Sequence, residues 1–180
     1  METVLILDFG AQYSQLIARR VREQNVYCEV KPCSISPAEI EKIAPIGIIL
    51  SGGPQSVYES VSLRVDPALF ALGIPVLGIC YGCQLMAYSL GGTVAAATEA
   101  TAREYGKTLT EFDTHSAIFQ DLPASSVTWM SHGDYISQVP DGFAVTAKTA
   151  VCPTAAMACP EKKLYGVQFH PEVQHTVEGS

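Results

Sequence analysis

Val76-Leu77-Gly78-Ile79-Cys80-Tyr81-Gly82-Cys83-Gln84 is the stretch on which the fold depends. Apolar and small residues run into a cysteine, a glycine follows two places later, and a helix-patterned segment, Leu85 to Leu90, closes at Gly91-Gly92. That order describes a strand, a sharp turn and a helix, with Cys80 projecting from the end of a sheet at a helix N-terminus. The glycines on either side leave room for a tight backbone, and the positive end of a helix favours a thiolate over a thiol. Cys80 is the candidate nucleophile.

The chain before it repeats the same alternation. Thr3 to Asp8 is a continuous apolar run of the kind buried on both faces of a parallel sheet. Tyr13, Leu16, Ile17 and Val21 recur at helical spacing, with Arg19, Arg20, Arg22 and Glu23 off that face. Val26 to Val30 reads as a second strand. Ser36-Pro37-Ala38-Glu39 carries a capping serine, a proline at the first helical position and a glutamate at the third, opening a helix to about Ala44. Ile46 to Leu50 is a third strand, Asp66-Pro67 to Gly73 a further helix, and Pro75 to Ile79 the strand entering Cys80. This is the pattern of an α/β doubly wound parallel sheet, whose ligand sites lie beyond the carboxyl ends of the strands. Asp8-Phe9-Gly10, Ser51-Gly52-Gly53-Pro54 and Cys80 all fall there. After Gly92 the character changes. Thr93–Ala97, Tyr105–Phe112, Val127–Met130, Tyr135–Val139, Phe143–Thr149, Ala155–Cys159 and Leu164–Phe169 read as short strands, expected as antiparallel additions to the sheet. No repeat, linker or low-complexity segment marks a domain boundary, so residues 1–180 read as one domain.

A formal charge of −7 argues against nucleic acid or an anionic membrane surface as partner. No apolar run approaches the ~20 residues of a membrane span, and the N-terminal residues carry no basic region or cleavage site of a signal peptide. Six cysteines in 180 residues do not make the dense framework of a small secreted domain. Cys28, Cys33, Cys152 and Cys159 read as reduced, small hydrophobes in a cytoplasmic protein.

A thiol nucleophile needs a base, and the base needs an orienting group. His170 directly follows the strand ending at Phe169, and Pro171-Glu172 comes next. The proline stiffens the backbone, and the two-residue offset puts imidazole and carboxylate on one side of an extended segment. His132, in Ser131-His132-Gly133-Asp134, is the rival base, and the residues alone leave the choice open. His115 and His175 lie among polar residues and read as surface side chains. Ser51-Gly52-Gly53-Pro54 offers backbone N–H groups which, with the amide of Tyr81, could form an oxyanion hole, although a plain turn fits the same residues. Two patterns point elsewhere. Cys80-x-x-Cys83 has the spacing of a dithiol redox motif, but Gly82 and Gln84 are untypical neighbours, and Cys83 is expected to pack the helix. Ser51 to Ser56 is similar to the phosphate loop Ser-Gly-Gly-x-Asp-Ser, with Gln55 at the acidic position and a proline in place of a backbone donor, which argues against nucleotide binding. No His, Cys, Asp or Glu cluster has metal-ligand spacing in the sequence.

Gly78 to Gln84 taken with Gly166-Val167-Gln168-Phe169-His170-Pro171-Glu172 resembles the class I, or triad, glutamine amidotransferases, and the resemblance covers nearly the whole chain. It implies a flavodoxin-like doubly wound sheet, a triad of Cys80, His170 and Glu172, an oxyanion hole from the amides of Gly53 and Tyr81, and L-glutamine held by Gln84, Ser131, His132 and Asp134, largely through main-chain groups. Leu7 to Tyr13, Ser51 to Pro54, Trp129 to Asp134 and His170 to Thr176 are similar to one branch of that family. There the ammonia converts xanthosine monophosphate to GMP on an ATP pyrophosphatase domain or subunit. No cofactor is implied for this domain; ATP and Mg2+ are expected only on the pyrophosphatase module, which lies outside residues 1–180. The rivals are an amidotransferase serving another synthetase, a γ-glutamyl peptidase of the same fold, and an idle domain that senses glutamine.

Overall fold

The computed structural model describes residues 1–10, 13–53, 56–58, 64–96 and 103–180. Its centre is a nine-stranded sheet with the order β2-β1-β3-β4-β11-β10-β9-β6-β7. The first half of the chain builds the parallel side. Strand β1 (Thr3–Asp8) pairs in parallel with β2 (Tyr27–Pro32) and β3 (Gly47–Leu50), and β3 pairs with β4 (Val76–Ile79). The second half adds β6 (Glu104–Phe112), β7 (Ser125–His132), β9 (Ala144–Lys148), β10 (Ala156–Cys159) and β11 (Leu164–Val167). Two strands, β5 (Thr93–Ala96) and β8 (Asp134–Gln138), form a separate antiparallel pair.

The two faces of the sheet are covered as a doubly wound fold requires. Along β1, Leu5 and Leu7 point to one face and Ile6 to the other, following the two-residue period of a strand. Leu5 and Leu7 pack with Ile40 of α2 (Pro37–Ile43) and with Tyr81, Leu85 and Met86 of α3 (Tyr81–Ser89). Ile6 packs with Ile17 and Ala18 of α1 (Ser14–Glu23), and with Val167 and Phe169. The capping box at Ser36 is present: its side chain accepts from the Glu39 amide, and the Glu39 carboxylate accepts from the Ser36 amide.

Three expectations are corrected. The segment after Asp66 is a single 3-10 turn, Pro67–Ala71, and not an α-helix. Its Leu69 and Phe70 are buried, and with Pro67 and Gly73 so close together only a short turn is needed to bury them. Strand β11 is not wholly an antiparallel addition: it is antiparallel to β10 but parallel to β4, closing the gap between the two halves of the sheet. Strands β5 and β8 leave the main sheet altogether. Ala97 at the end of the first C-terminal strand, Ala11 and Gln12, and Pro54 and Gln55 lie outside the described residues. Among the described residues no helix is long and apolar enough to cross a membrane.

Candidate active site

Cys80 sits between β4 and α3 with φ 52° and ψ −108°, a conformation costing of order 1–3 kcal/mol for a residue with a side chain. The surroundings enforce it. The Cys80 amide donates to the Val167 carbonyl at 2.8 Å, and its own carbonyl accepts from the Gln84 amide at 3.1 Å, the first bond of the helix. The two flanking glycines are required by contact. A Cβ on Gly78 would lie 2.6 Å from the Gly82 carbonyl oxygen, and one on Gly82 would lie 2.5 Å from the Leu50 carbonyl oxygen. The elbow is thus wedged against both its own strand and its neighbour.

Because β11 runs parallel to β4, it ends at the same edge of the sheet and delivers His170 to Cys80. The His170 ring lies beside Cys80, since a Cβ on Gly52 would stand 3.1 Å from His170 Cε1 and 3.7 Å from Cys80 Cβ, and the ring's Nδ1 lies 2.7 Å from Glu172 Oε1. All three residues are buried, at 5%, 6% and 4% exposure. Burial alone would push His170 down, but hydrogen bonds and charge from Cys80 and Glu172 prevail and lift it to about 10. Glu172 Oε2 is buried and has no hydrogen-bond partner among the described residues, so the imidazolium is the group that balances this carboxylate. The backbone of the His-Pro-Glu segment is tied at three points. The His170 amide donates to the Trp129 carbonyl (2.9 Å), Thr176 Oγ1 donates to the His170 carbonyl (2.6 Å), and Arg20 Nε donates to the Glu172 carbonyl (3.0 Å). Tyr13 meets the His170 ring edge-on, with centroids 5.8 Å apart.

His132 answers differently. Its side chain is 1% exposed, with Nδ1 facing the Asp134 carbonyl at 2.9 Å and Nε2 facing Glu104 Oε1 at 3.1 Å. Both nitrogens are engaged away from the nucleophile, and the residue that meets Cys80 is Ser131, whose carbonyl lies 3.6 Å from Sγ. Gln84 is buried one helical turn beyond Cys80, where its Nε2 donates to the Asp134 carbonyl (3.0 Å) and to Gln168 Oε1 (3.1 Å). The loop at Ser51 closes over the same spot. A Cβ on Gly52 would stand 3.1 Å from His170 Cε1, and Gly53 lies against Phe9 and the Tyr81 ring.

Several residues of the site escape the sequence reading. Gln168 is fully buried and donates from Nε2 to Cys80 Sγ at 3.5 Å. Its signal is a polar side chain in an apolar strand two places before His170. Arg20 and Thr176 act through bonds to the backbone carbonyls of Glu172 and His170 that no local pattern announces. Glu104, His132 and Cys152, far apart in the chain, bring potential metal-ligand atoms within 4.8 Å of one another, a grouping the linear spacing hides. It is distinct from the Cys80, His170 and Glu172 set. The remaining cysteines behave as expected: Cys28, Cys33, Cys152 and Cys159 are free and buried. Cys83 is free and fully buried, with its thiol pushed far up by burial, and a Cβ on Gly166 would meet its Sγ at 2.5 Å. It packs the helix against β11. His115 and His175 are exposed, with the His175 ring stacked on Trp129 at 4.8 Å.

Comparison with known proteins agrees with this geometry. A family model described as glutamine amidotransferase class-I matches residues 5–180. A glutamine-hydrolyzing GMP synthase from Clostridium botulinum (strain Alaska E43 / Type E3) is 55% identical over 179 residues, covering 99% of this chain and 34% of that protein. One from Bacillus pumilus (strain SAFR-032) is also 55% identical, with the same coverage of both chains. The chain therefore spans about a third of the length of the curated relatives it matches, 34%. Among solved structures, a presumed GMP synthase component from Thermoplasma acidophilum superposes with a TM-score of 0.85 at 30% identity, covering 99% of this chain and 88% of that one. A glutamine amidotransferase from Thermotoga maritima shares the fold, with a TM-score of 0.80 at 23% identity over 96% of this chain and 76% of its own.

Proposed function

Because the chain belongs to the class I glutamine amidotransferases, we propose that it hydrolyses glutamine to glutamate and ammonia through Cys80, His170 and Glu172. The observation that carries this reading is the nucleophile elbow itself. A cysteine with φ 52° at a strand-to-helix turn lies beside a histidine, both within 4 Å of where a Cβ on Gly52 would stand, and the histidine's Nδ1 is 2.7 Å from a carboxylate. The Cys80 thiolate attacks the side-chain amide carbon of glutamine, forming a C–S bond while the carbonyl electron pair moves to oxygen. The amides of Gly53 and Tyr81 hold that oxyanion. His170, protonated in the resting pair, gives its proton to the departing ammonia as the carbon–nitrogen bond breaks. It then takes a proton from water, whose hydroxide cleaves the γ-glutamyl thioester, releases glutamate and returns the thiolate. Glu172 keeps the ring in orientation and offsets its charge. Gln84, Ser131, His132 and Asp134 form the wall that holds glutamine. The buried His132 and Gln84 side chains brace it by bonding the Asp134 carbonyl, and the Ser131 carbonyl faces Cys80 Sγ.

The ammonia is used to convert xanthosine monophosphate to GMP on a separate ATP pyrophosphatase module, and ATP and Mg2+ enter only there. This is supported by the relatives named as GMP synthases, of whose length the chain accounts for 34%. A cytoplasmic location suits six free cysteines. The test is ammonia release from glutamine by the 180-residue chain and its Cys80→Ala variant. The variant should lose activity on the order of a thousandfold or more, with little change in thermal unfolding. Equal rates would overturn the mechanism.

A further inference from the structure

Glu104 on β6 stands directly opposite His132 on β7 in the strand register. The two side chains are 6% and 1% exposed, and Glu104 Oε1 lies 3.1 Å from His132 Nε2. The other ring nitrogen faces the Asp134 carbonyl at 2.9 Å. A carbonyl only accepts, so Nδ1 carries a proton, and the bond to Glu104 needs one more, on Nε2 or on the carboxyl. The second carboxylate oxygen is fastened too. Thr149 Oγ1 donates to Glu104 Oε2 at 2.8 Å, and itself accepts from the Cys152 amide at 2.9 Å. The Cys152 thiol shares this space, but burial first and then the charge of Glu104 push it up to about 12. It donates to the Thr154 carbonyl at 3.3 Å and is 1% exposed, which makes it a packing group and not a second nucleophile.

The place of this network in the fold gives it a function. His132 lies in the corner where the chain leaves β7 for β8 and passes from the main sheet to the two-stranded one. Two carbonyls of that corner reach the site: Ser131 at the Cys80 thiol, and Asp134, which accepts from both Gln84 Nε2 and His132 Nδ1. Without the Glu104 side chain, the His132 ring would keep its bond to the Asp134 carbonyl and lose the one that ties it to β6. We infer that Glu104 is a positioning residue for the glutamine substrate, acting through His132 to hold the carbonyls of Ser131 and Asp134 in register with Cys80. This rests on the glutaminase reading above.

The decisive comparison is E104A with E104Q. A glutamine at 104 can donate its amide N–H to Nε2 of a neutral imidazole and accept from Thr149 with its oxygen, so the brace survives; alanine removes it. E104A should raise KM for glutamine about tenfold or more, with kcat falling by about threefold at most, and E104Q should recover most of that loss. Alkylation of Cys80 by iodoacetamide, which does not need the glutamine pocket, should change far less among the three proteins than KM does. Amide hydrogen exchange across residues 131–136 should quicken in E104A and return towards the parent in E104Q. An E104A protein with parental KM and parental exchange would overturn the inference, as would an E104Q protein as damaged as E104A. If the parent released no ammonia from glutamine, the functional reading would fall, while the exchange data would still decide whether Glu104 holds the corner. Should E104A not fold, Thr149→Val removes a single bond to the same carboxylate and should give a smaller rise, about threefold, in KM.

Discussion

His170 is held between a thiol and a carboxylate in a place where water could not support its charge. Burial works against the imidazolium, and the hydrogen bonds and charges of Cys80 and Glu172 overcome it, so the group is lifted from 6.5 to about 10. A value above that of the unfolded chain means that the folded state binds the proton more tightly. The resulting stabilisation is complete below about pH 6.5 and is lost as the pH rises through about 10. Comparing parent and His170→Asn by urea unfolding across that range isolates the effect, because asparagine does not titrate. The parent's advantage should be largest near pH 6 and should shrink steadily towards pH 10. An advantage constant with pH would mean that folding does not raise the ring's hold on its proton, and proton donation to the leaving ammonia would then need another source. The residue scale also shows where the sequence was informative. His170 and Glu172 are two positions apart, so their pairing was legible as a candidate from the chain itself. The choice between His170 and His132 was not, because it turns on which strands are neighbours: β11 lies beside β4, whereas His132 faces Glu104 across β6 and β7.

At the scale of elements, the strand–elbow–helix unit is fixed more by what cannot be added than by what is bonded. Gly82 presses on the carbonyl of Leu50 in β3, and Gly78 presses on Gly82 across the elbow. Gly82→Ala should therefore force α3 away from β3. Its expected cost is about 1–3 kcal/mol, the range for overpacking a closed interior, and glutaminase activity should fall more steeply than stability because the elbow moves with the helix. Gly91→Ala is the control. Gly91 ends the same helix at φ +94° with open space around it, so alanine there meets only backbone strain, about 1 kcal/mol, far from the thiol. Thermal unfolding together with ammonia release separates the two variants, and equal activities in both would remove the packing account of the elbow. Elements marked by side-chain chemistry were legible in the sequence: the Ser36 capping box, the glycines around Cys80, the buried run of β1. Those set by neighbours were not. Leu164 to Val167 looks like any short apolar strand, and only the tight return through Pro160–Lys162 from β10 makes it parallel to β4. The turn after Asp66 likewise carries a helix-opening cap, with the Asp66 side chain accepting from the Ala68 amide, but ends as a 3-10 turn within five residues.

At the scale of the whole molecule, the strands from the first and second halves of the chain meet at β4 and β11, and the chemistry sits at that seam. Nucleophile and base come from the two halves, so the alignment of Cys80 with His170 depends on how the halves pack. Beyond the parallel ladder of β4 and β11, side chains tie the seam together at the site. Gln168 reaches from the end of β11 to both Cys80 and Gln84, and Arg20 reaches from α1 to the Glu172 carbonyl. A partner that docks on this end of the sheet can bias the alignment without adding any catalytic group. In the proposed function that partner is the ATP pyrophosphatase module, and its substrates are what make ammonia useful. The 180-residue chain alone should therefore release ammonia slowly. Adding a separately produced pyrophosphatase module with xanthosine monophosphate, ATP and Mg2+ should raise kcat about tenfold or more and yield GMP in step with glutamate. The same module without nucleotides should give a smaller rise. Full glutaminase activity in the isolated chain, unchanged by module and nucleotides, would refute coupling across the seam. Stimulation by a different synthetase, and not by this one, would keep the glutaminase and reassign the destination of its ammonia.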